Sequence, residues 1–162
     1  IIKSFEELED NTDNWREIER FIRNIGTEPV KHIVAEKPGW AYWYADIIIG
    51  GRWPEAEPVI AKDPKWAYFY AVYVIRGRWP KAEPVIAKGP QLAYAYARGV
   101  IRGRWPEAEP VIAKDPSSAF QYARDVIRDR WPEAEPVIAK DPAHKRKYED
   151  RFNVDLDREL KK

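Results

Sequence analysis

The chain holds no cysteine and no methionine in 162 residues. Without Cys there is no disulfide, no thiolate metal ligand and no cysteine nucleophile, so the fold rests on packing alone and the redox compartment leaves no mark. Aliphatic hydroxyl and imidazole groups are nearly as scarce: Ser4, Ser117, Ser118, Thr12, Thr27, His32 and His144 are the whole stock. A nucleophile needs a base within hydrogen-bond reach and a third group to orient that base. His32 falls near one end of the chain and His144 near the other, so the sequence predicts neither an enzyme nor a cofactor. Charge of one sign is missing too, since 28 Lys and Arg face 27 Asp and Glu. Whole-molecule electrostatics therefore favour neither nucleic acid nor an anionic membrane, and any charged recognition must be local. No apolar run approaches the ~20 residues of a membrane span, and the acidic stretch over residues 4–13 is unlike a signal peptide. The cytoplasm is the default compartment and no membrane partner is expected. The chain opens at Ile1, which leaves its natural start and any leader ahead of it open.

What is present is apolar and repetitive. Residues of the apolar class make up 44 % and aromatics 14 %, far above a disordered composition. The string Trp53-Pro-Glu-Ala-Glu-Pro-Val-Ile-Ala-Lys-Asp-Pro64 returns, nearly verbatim, from Trp79, Trp105 and Trp131, a period of 26 residues. A worn copy precedes it, with Ile33 to Pro38 in register with Val59 to Pro64 and Trp40 to Ala45 in register with Trp66 to Ala71.

Each unit reads as two helices. The longer starts at Asp63-Pro64, an N-cap followed by Pro at the first helical position, and runs to Arg76 with Gly77 as C-cap. Asp115-Pro116 and Asp141-Pro142 repeat the start signal, and Gly50-Gly51 and Gly103 the stop. The shorter helix starts at Trp53-Pro54 and shows a one-sided stripe of Ala56, Val59 and Ile60. Pro58 fits it only in the first turn, so this helix is short or bent there. A single unit is too small to bury its own apolar side and must stack on neighbours. The sequence thus predicts an all-α fold, an α-solenoid of 26-residue helix-turn-helix repeats with helical caps. Residues 1–26 form an N-terminal helical cap, 27–142 the array and 143–162 a C-terminal polar helical cap. In the first cap Ser4-Phe-Glu-Glu7 is a capping box, and residues 14–24 read as a helix closed by Gly26.

The string Tyr122-Ala-Arg-Asp-Val-Ile-Arg-Asp-Arg-Trp-Pro-Glu-Ala-Glu-Pro136 resembles a repeat found in open reading frames of bacteriophages, giant viruses and some bacteria, Tyr-Ala-Arg-Asp-Val-Ile-x-Gly-Arg-Trp-Pro-Glu-Ala-Glu-Pro. The resemblance covers about residues 40–142 and implies a phage-encoded interaction or host-modulating protein, without carrying over any functional residue. The architecture is also similar to tetratricopeptide and Sel1-like arrays, which have longer periods.

Comparing the units separates fixed from free positions. On a 100° wheel Ala41, Tyr42, Tyr44, Ala45, Ile48 and Ile49 share one arc with their equivalents Ala67, Tyr68, Tyr70, Ala71, Val74 and Ile75, and this arc is the expected core, its Tyr hydroxyls finding partners at the rim. The opposite arc varies and grades from aromatic to polar: Trp40, Trp43, Asp46 and Ile47, then Trp66, Phe69, Val72 and Tyr73, then Leu92, Ala95, Arg98 and Gly99, then Ser118, Gln121, Arg124 and Asp125. Large aromatics at variable positions are what protein interfaces place at their centres. Trp40, Trp43, Ile47, Trp66, Phe69 and Tyr73 are therefore the expected partner-binding surface. The competing reading buries them under the N-terminal cap or a second copy.

The recurring Glu55 and Glu57 are read as helix-dipole partners, because an i, i+2 spacing splays two carboxylates apart and no metal site results. Arg52, Arg78, Arg104 and Arg130 form a ladder that would suit a phosphate backbone, but Glu recurs as often, so salt links between units are expected. Residues 79–104 carry Lys81, Lys88, Arg98, Arg102 and Arg104 against Glu83 alone, a net +4 that makes these five cations a candidate anion contact. The function expected is a non-catalytic helical-repeat scaffold for a protein partner. Homo-oligomeric assembly, or nucleic-acid binding through residues 79–104, stand as alternatives, the latter disfavoured by the balanced charge.

Overall fold

A computed structural model of the protein describes residues 28–161 together with residues 20, 23, 24 and 26. The N-terminal cap helices expected from Ser4-Phe-Glu-Glu7 and over residues 14–24 lie outside the described residues, apart from helical Arg20, Arg23 and Asn24 and a left-handed Gly26.

The described chain is all-helical, an array of short and long helices in alternation. The short helices are α1 (Glu28–Val34), α3 (Glu57–Ile60), α5 (Glu83–Ile86), α7 (Glu109–Ile112) and α9 (Glu135–Ile138). The long ones begin as α2 (Pro38–Trp43), α4 (Pro64–Phe69), α6 (Pro90–Tyr96), α8 (Pro116–Tyr122) and α10 (Pro142–Phe152), and α11 (Leu156–Glu159) closes the end. Each long helix packs on the long helix of the next unit and on the following short helix, the stacking of a solenoid.

Local sequence explains most boundaries. Asp63, Asp115 and Asp141 each accept a hydrogen bond from the backbone N–H three residues on, with Pro at the first helical turn. Pro58 and its equivalents lie in the first turn of four-residue helices, where a missing N–H costs nothing. Those helices open at Glu57 rather than Trp53-Pro54, because Pro54 to Ala56 form a turn instead.

Two expectations fail at the ends of the long helices. Helices α2, α4, α6 and α8 each pass into a π-helical segment, at Tyr44–Ile49, Tyr70–Ile75, Ala97–Ile101 and Ala123–Ile127. The stop residue is then Arg76, Arg102 or Arg128, at φ 58°, 59° and 64°, not the Gly77 or Gly103 that follows the first two; only the first unit has glycine there, Gly50 at φ 70°. The wider π turn also drifts away from a 100° wheel. The core arc therefore holds at Ala41, Tyr42, Tyr44 and Ala45 but not at Ile49, which is 43 % exposed, or at the half-buried Val74 and Ile75.

The core is a file of identical joints. Tyr70, Tyr96, Tyr122 and Tyr148 are fully buried, so their hydroxyls are not at a rim. The Tyr70 hydroxyl accepts from the backbone N–H of Trp53 at 2.7 Å and donates to Glu57 Oε1 at 3.1 Å. Arg52 grips both oxygens of Glu57 at 2.8 and 2.9 Å. Counted from each Trp-Pro, every such Arg–Glu pair joins the last residue of one unit to the start of the next, the expected salt link between units, though over only five residues of chain. The tyrosine spans units as well: the hydroxyl of Tyr70 reaches Trp53 while its ring packs on Trp79, centroids 5.0 Å apart. Tyr96, Tyr122 and Tyr148 make the same hydroxyl contacts to Trp79, Trp105 and Trp131 and to Glu83, Glu109 and Glu135.

Tyr148 sits in the stretch read as a polar cap, so that stretch also completes the last joint. Beyond it Leu156 is fully buried, and Lys145 to Asp157 at 2.7 Å and Leu156 N–H to Glu149 at 2.9 Å tie down the end.

Candidate functional site

The predicted aromatic surface is partly assembled. Tyr42, Trp43, Asp46, Lys65, Trp66, Phe69 and Tyr73 line one groove of about 510 Å³ between the first two long helices. Tyr42 stacks on Trp66 at 5.6 Å and on Phe69 at 6.0 Å between ring centroids, and Phe69 stacks on Tyr73 at 6.1 Å. Lys65 Nζ lies 4.7 Å from the centre of the Trp66 ring, a cation–π contact. Phe69 and Trp66 are half-buried, and Tyr73 stands 53 % exposed at the rim.

Two predicted members are elsewhere. Trp40 is only 4 % exposed and belongs to the core, and Ile47 packs half-buried against that core. The wheel placed Trp40 on the variable arc because its equivalents in later units change. Burial at the N-terminal end of the first long helix is why a large apolar residue is found there.

Tyr42, expected in the core, and Asp46, on the variable arc, join the site, together with Lys65 and Gly39, neither of which was singled out. A Cβ on Gly39 would lie 2.8 Å from Cε2 of Trp66, so the indole rests on bare backbone. The signal was legible: the equivalents of Gly39 are Lys65, Gln91 and Ser117, and glycine occurs only where the next unit offers Trp. Burial, with Asp46 beside it, pushes the Tyr42 hydroxyl well above its ordinary pKa. It donates to Asp46 Oδ2 at 3.4 Å.

The five candidate anion-binding cations are not gathered in one place. Arg104 is held by Glu109 at 2.8 Å through both carboxylate oxygens. Lys81 and Lys88 lie on the short-helix side, Lys88 lining a different hollow with Pro80 and Trp105. Arg98 and Arg102 do meet, in a pocket of about 550 Å³ that also includes Gly103, Asp125, Val126 and Arg128. Asp125 accepts from Arg124 at 2.7 and 2.9 Å and from the Tyr94 hydroxyl at 2.5 Å. The Arg124 hydrogen bonds, first among the causes, hold this carboxyl down at about 2. Arg98 approaches Asp125 only to 3.9 Å. Among the described residues neither Arg102 nor Arg128 makes a side-chain hydrogen bond or ion pair.

Among the described residues no three His, Asp or Glu side chains are placed to hold a metal ion, and no helix is long and apolar enough to cross a membrane. Fold and site together define an α-helical repeat solenoid with an aromatic groove and an arginine pocket. No protein family, curated protein or solved structure matches the chain.

Proposed function

We propose that this chain is a non-catalytic repeat scaffold that holds a segment of a protein partner in the groove between its first two long helices, acting in the cytoplasm as a phage-type interaction or host-modulating protein. The observation that carries the reading is Tyr73, more than half exposed at the lip of a groove whose walls are Trp66 and Phe69. Single exposed apolar residues are ordinary, but a contiguous aromatic patch marks an interaction surface, and aromatics dominate interface energetics. The groove is mostly apolar, with one acid, Asp46, and one base, Lys65, at its edge, the composition that fixes an apolar anchor and orients its backbone.

Nucleic acid is disfavoured on two grounds. The Arg ladder from Arg52 to Arg130 is occupied by glutamates. The faces of Tyr42, Trp66, Phe69 and Tyr73 are stacked on one another rather than offered to a base.

The test is selection of a random peptide display library on the full chain, with Tyr73→Ala as counter-target. Peptides with an apolar anchor should enrich and should bind the variant at least tenfold more weakly at unchanged melting temperature. Enrichment that ignores Tyr73 rejects the groove. A solution mass that rises with concentration, and falls back in the Tyr73 variant, would assign the groove to a second copy instead.

A further inference from the structure

The aromatic groove and the arginine pocket occupy the same side of the array. Asp46, Arg98 and Arg124 are equivalent repeat positions, as are Tyr73 and Asp125, and as are Gly50, Arg76, Arg102 and Arg128. Neighbouring long helices pack directly along the whole series, so the face runs without a break from rings in the first two units to guanidinium groups in the third and fourth. The one carboxylate lining the pocket, Asp125, is already neutralised by Arg124 and Tyr94. That leaves Arg98, Arg102 and Arg128 as three cations with no full counter-charge around one hollow.

The backbone adds weight to this strip. Arg102 and Arg128 sit in the left-handed region, where a side chain is a burden and glycine is the natural choice, as Gly50 shows at the same position of the first unit. Packing does not ask for these side chains, because both are exposed. Residues kept in a disfavoured conformation with no structural contact to reward them point to use.

The chemistry of the hollow selects the ligand. No aromatic ring lines it, so it has no slot for a nucleobase. The nearby backbone N–H of Gly103 already bonds to Ala97, so it offers no free donor of the kind that cradles a phosphate. What remains is a spread of long, mobile guanidinium groups over two units, suited to several carboxylates in a row.

We infer that the arginine strip of Arg98, Arg102 and Arg128 receives an acidic stretch of the same polypeptide segment whose apolar anchor fills the groove at Tyr73. This rests on the proposed function and specifies its partner. The groove and the pocket are two units apart. At about 10 Å per packed helix the separation is roughly 20 Å. An extended chain covers that in about six residues at ~3.3 Å each. The segment therefore carries Asp or Glu about six residues from its anchor and lies across the long helices.

The experiment uses the peptides enriched on the full chain and the double variant Arg102→Gly, Arg128→Gly. Glycine fits the left-handed backbone at both sites, so the variant should fold and melt at or above the parent temperature. Arg102→Gln with Arg128→Gln repeats the measurement with the stems retained. The expected result is enriched peptides with acids about six residues from the anchor, bound about tenfold more weakly by both double variants, and weakened by added salt in the parent. Peptides that need Tyr73 but are neutral or basic, or that bind the arginine variants as well as the parent, overturn this inference and leave the groove standing. If single-stranded oligothymidylate binds the parent more tightly than the peptides and is lost in the double variant, the strip belongs to nucleic acid and the inference fails. If no peptide depends on Tyr73, the groove and the strip fall together.

Discussion

Replacing Tyr96 by Phe removes one oxygen and leaves the ring where it packs on Trp105, 5.1 Å away between centroids. That oxygen accepts from the backbone N–H of Trp79 at 2.7 Å and donates to Glu83 Oε1 at 3.0 Å. Glu83 keeps both bonds from Arg78 and loses little. The Trp79 N–H fares worse, because Trp79 is 3 % exposed and water cannot replace the lost acceptor. Orphaning a buried donor costs ~1–3 kcal/mol. At about 2 kcal/mol, and roughly 2–4 °C per kcal/mol for a chain of this length, Tyr96→Phe should melt about 4–8 °C below the parent. Tyr42→Phe is the reference. Tyr42 is also buried, but its hydroxyl makes only the 3.4 Å contact to Asp46, so its loss should cost less than about 0.5 kcal/mol. Thermal melts followed by circular dichroism separate the two. Equal melting temperatures for Tyr96→Phe and Tyr42→Phe would refute the joint as described. So would a Tyr96→Phe, Tyr148→Phe pair that costs no more than either change alone, since separate joints should add.

The remaining predictions concern pH, backbone and length. Glu57, Glu83 and Glu109 are held below their ordinary value of 4.5, chiefly by hydrogen bonds from Arg52, Arg78 and Arg104. Their contribution is complete above pH 4.5 and drains as pH falls through the lowered folded values, so acid should depress the melting temperature, and Arg104→Gln should flatten that dependence. Burial pushes Tyr70 and Tyr96 up from 10.0 to about 12. Their stability is whole below pH 10 and is lost as pH rises through about 12, so tyrosinate absorbance from them should appear together with loss of helical dichroism; ionisation near pH 10 with helix intact would contradict their burial. Gly39→Ala should drive the Trp66 indole off the backbone and cost ~1–3 kcal/mol in melting experiments, with a red shift of indole emission. Residues 27–77 alone, with stacking surfaces left bare, should show no cooperative melt near that of the full chain.

The architecture was legible because it is written in a near-verbatim repeat with caps that physics makes local. Asp63, Asp115 and Asp141 announce their helices by a hydrogen bond three residues away, and Pro58 tells where its helix must begin. The π-helical ends were not legible, since a wheel fixes one angle per residue and the angle changes at Tyr70. The left-handed arginines were hidden behind Gly77 and Gly103, which look like caps but follow them. Among site residues, Trp66, Phe69 and Tyr73 could be found as variation within a constant frame. Trp40 obeyed the same rule and is core, because variation shows freedom to change and not exposure. Arg128 escaped notice because its own unit, residues 105–130, is net acidic in sequence; only stacking brings it, with Asp125, beside Arg98 and Arg102.

The joint built by each tyrosine has a consequence for length. It needs one Trp-Pro corner behind and one ahead, Phe152 taking the forward place for Tyr148, and every corner offers the same backbone N–H, the same glutamate and the same ring. A whole unit can therefore be inserted or removed in frame with every joint restored. Such an exchange leaves the groove and the arginine pocket intact but moves them apart or together by one helix diameter. The array is a ruler graduated in units of 26 residues, on which duplication or loss of a repeat resets the spacing that a ligand must match without altering either contact.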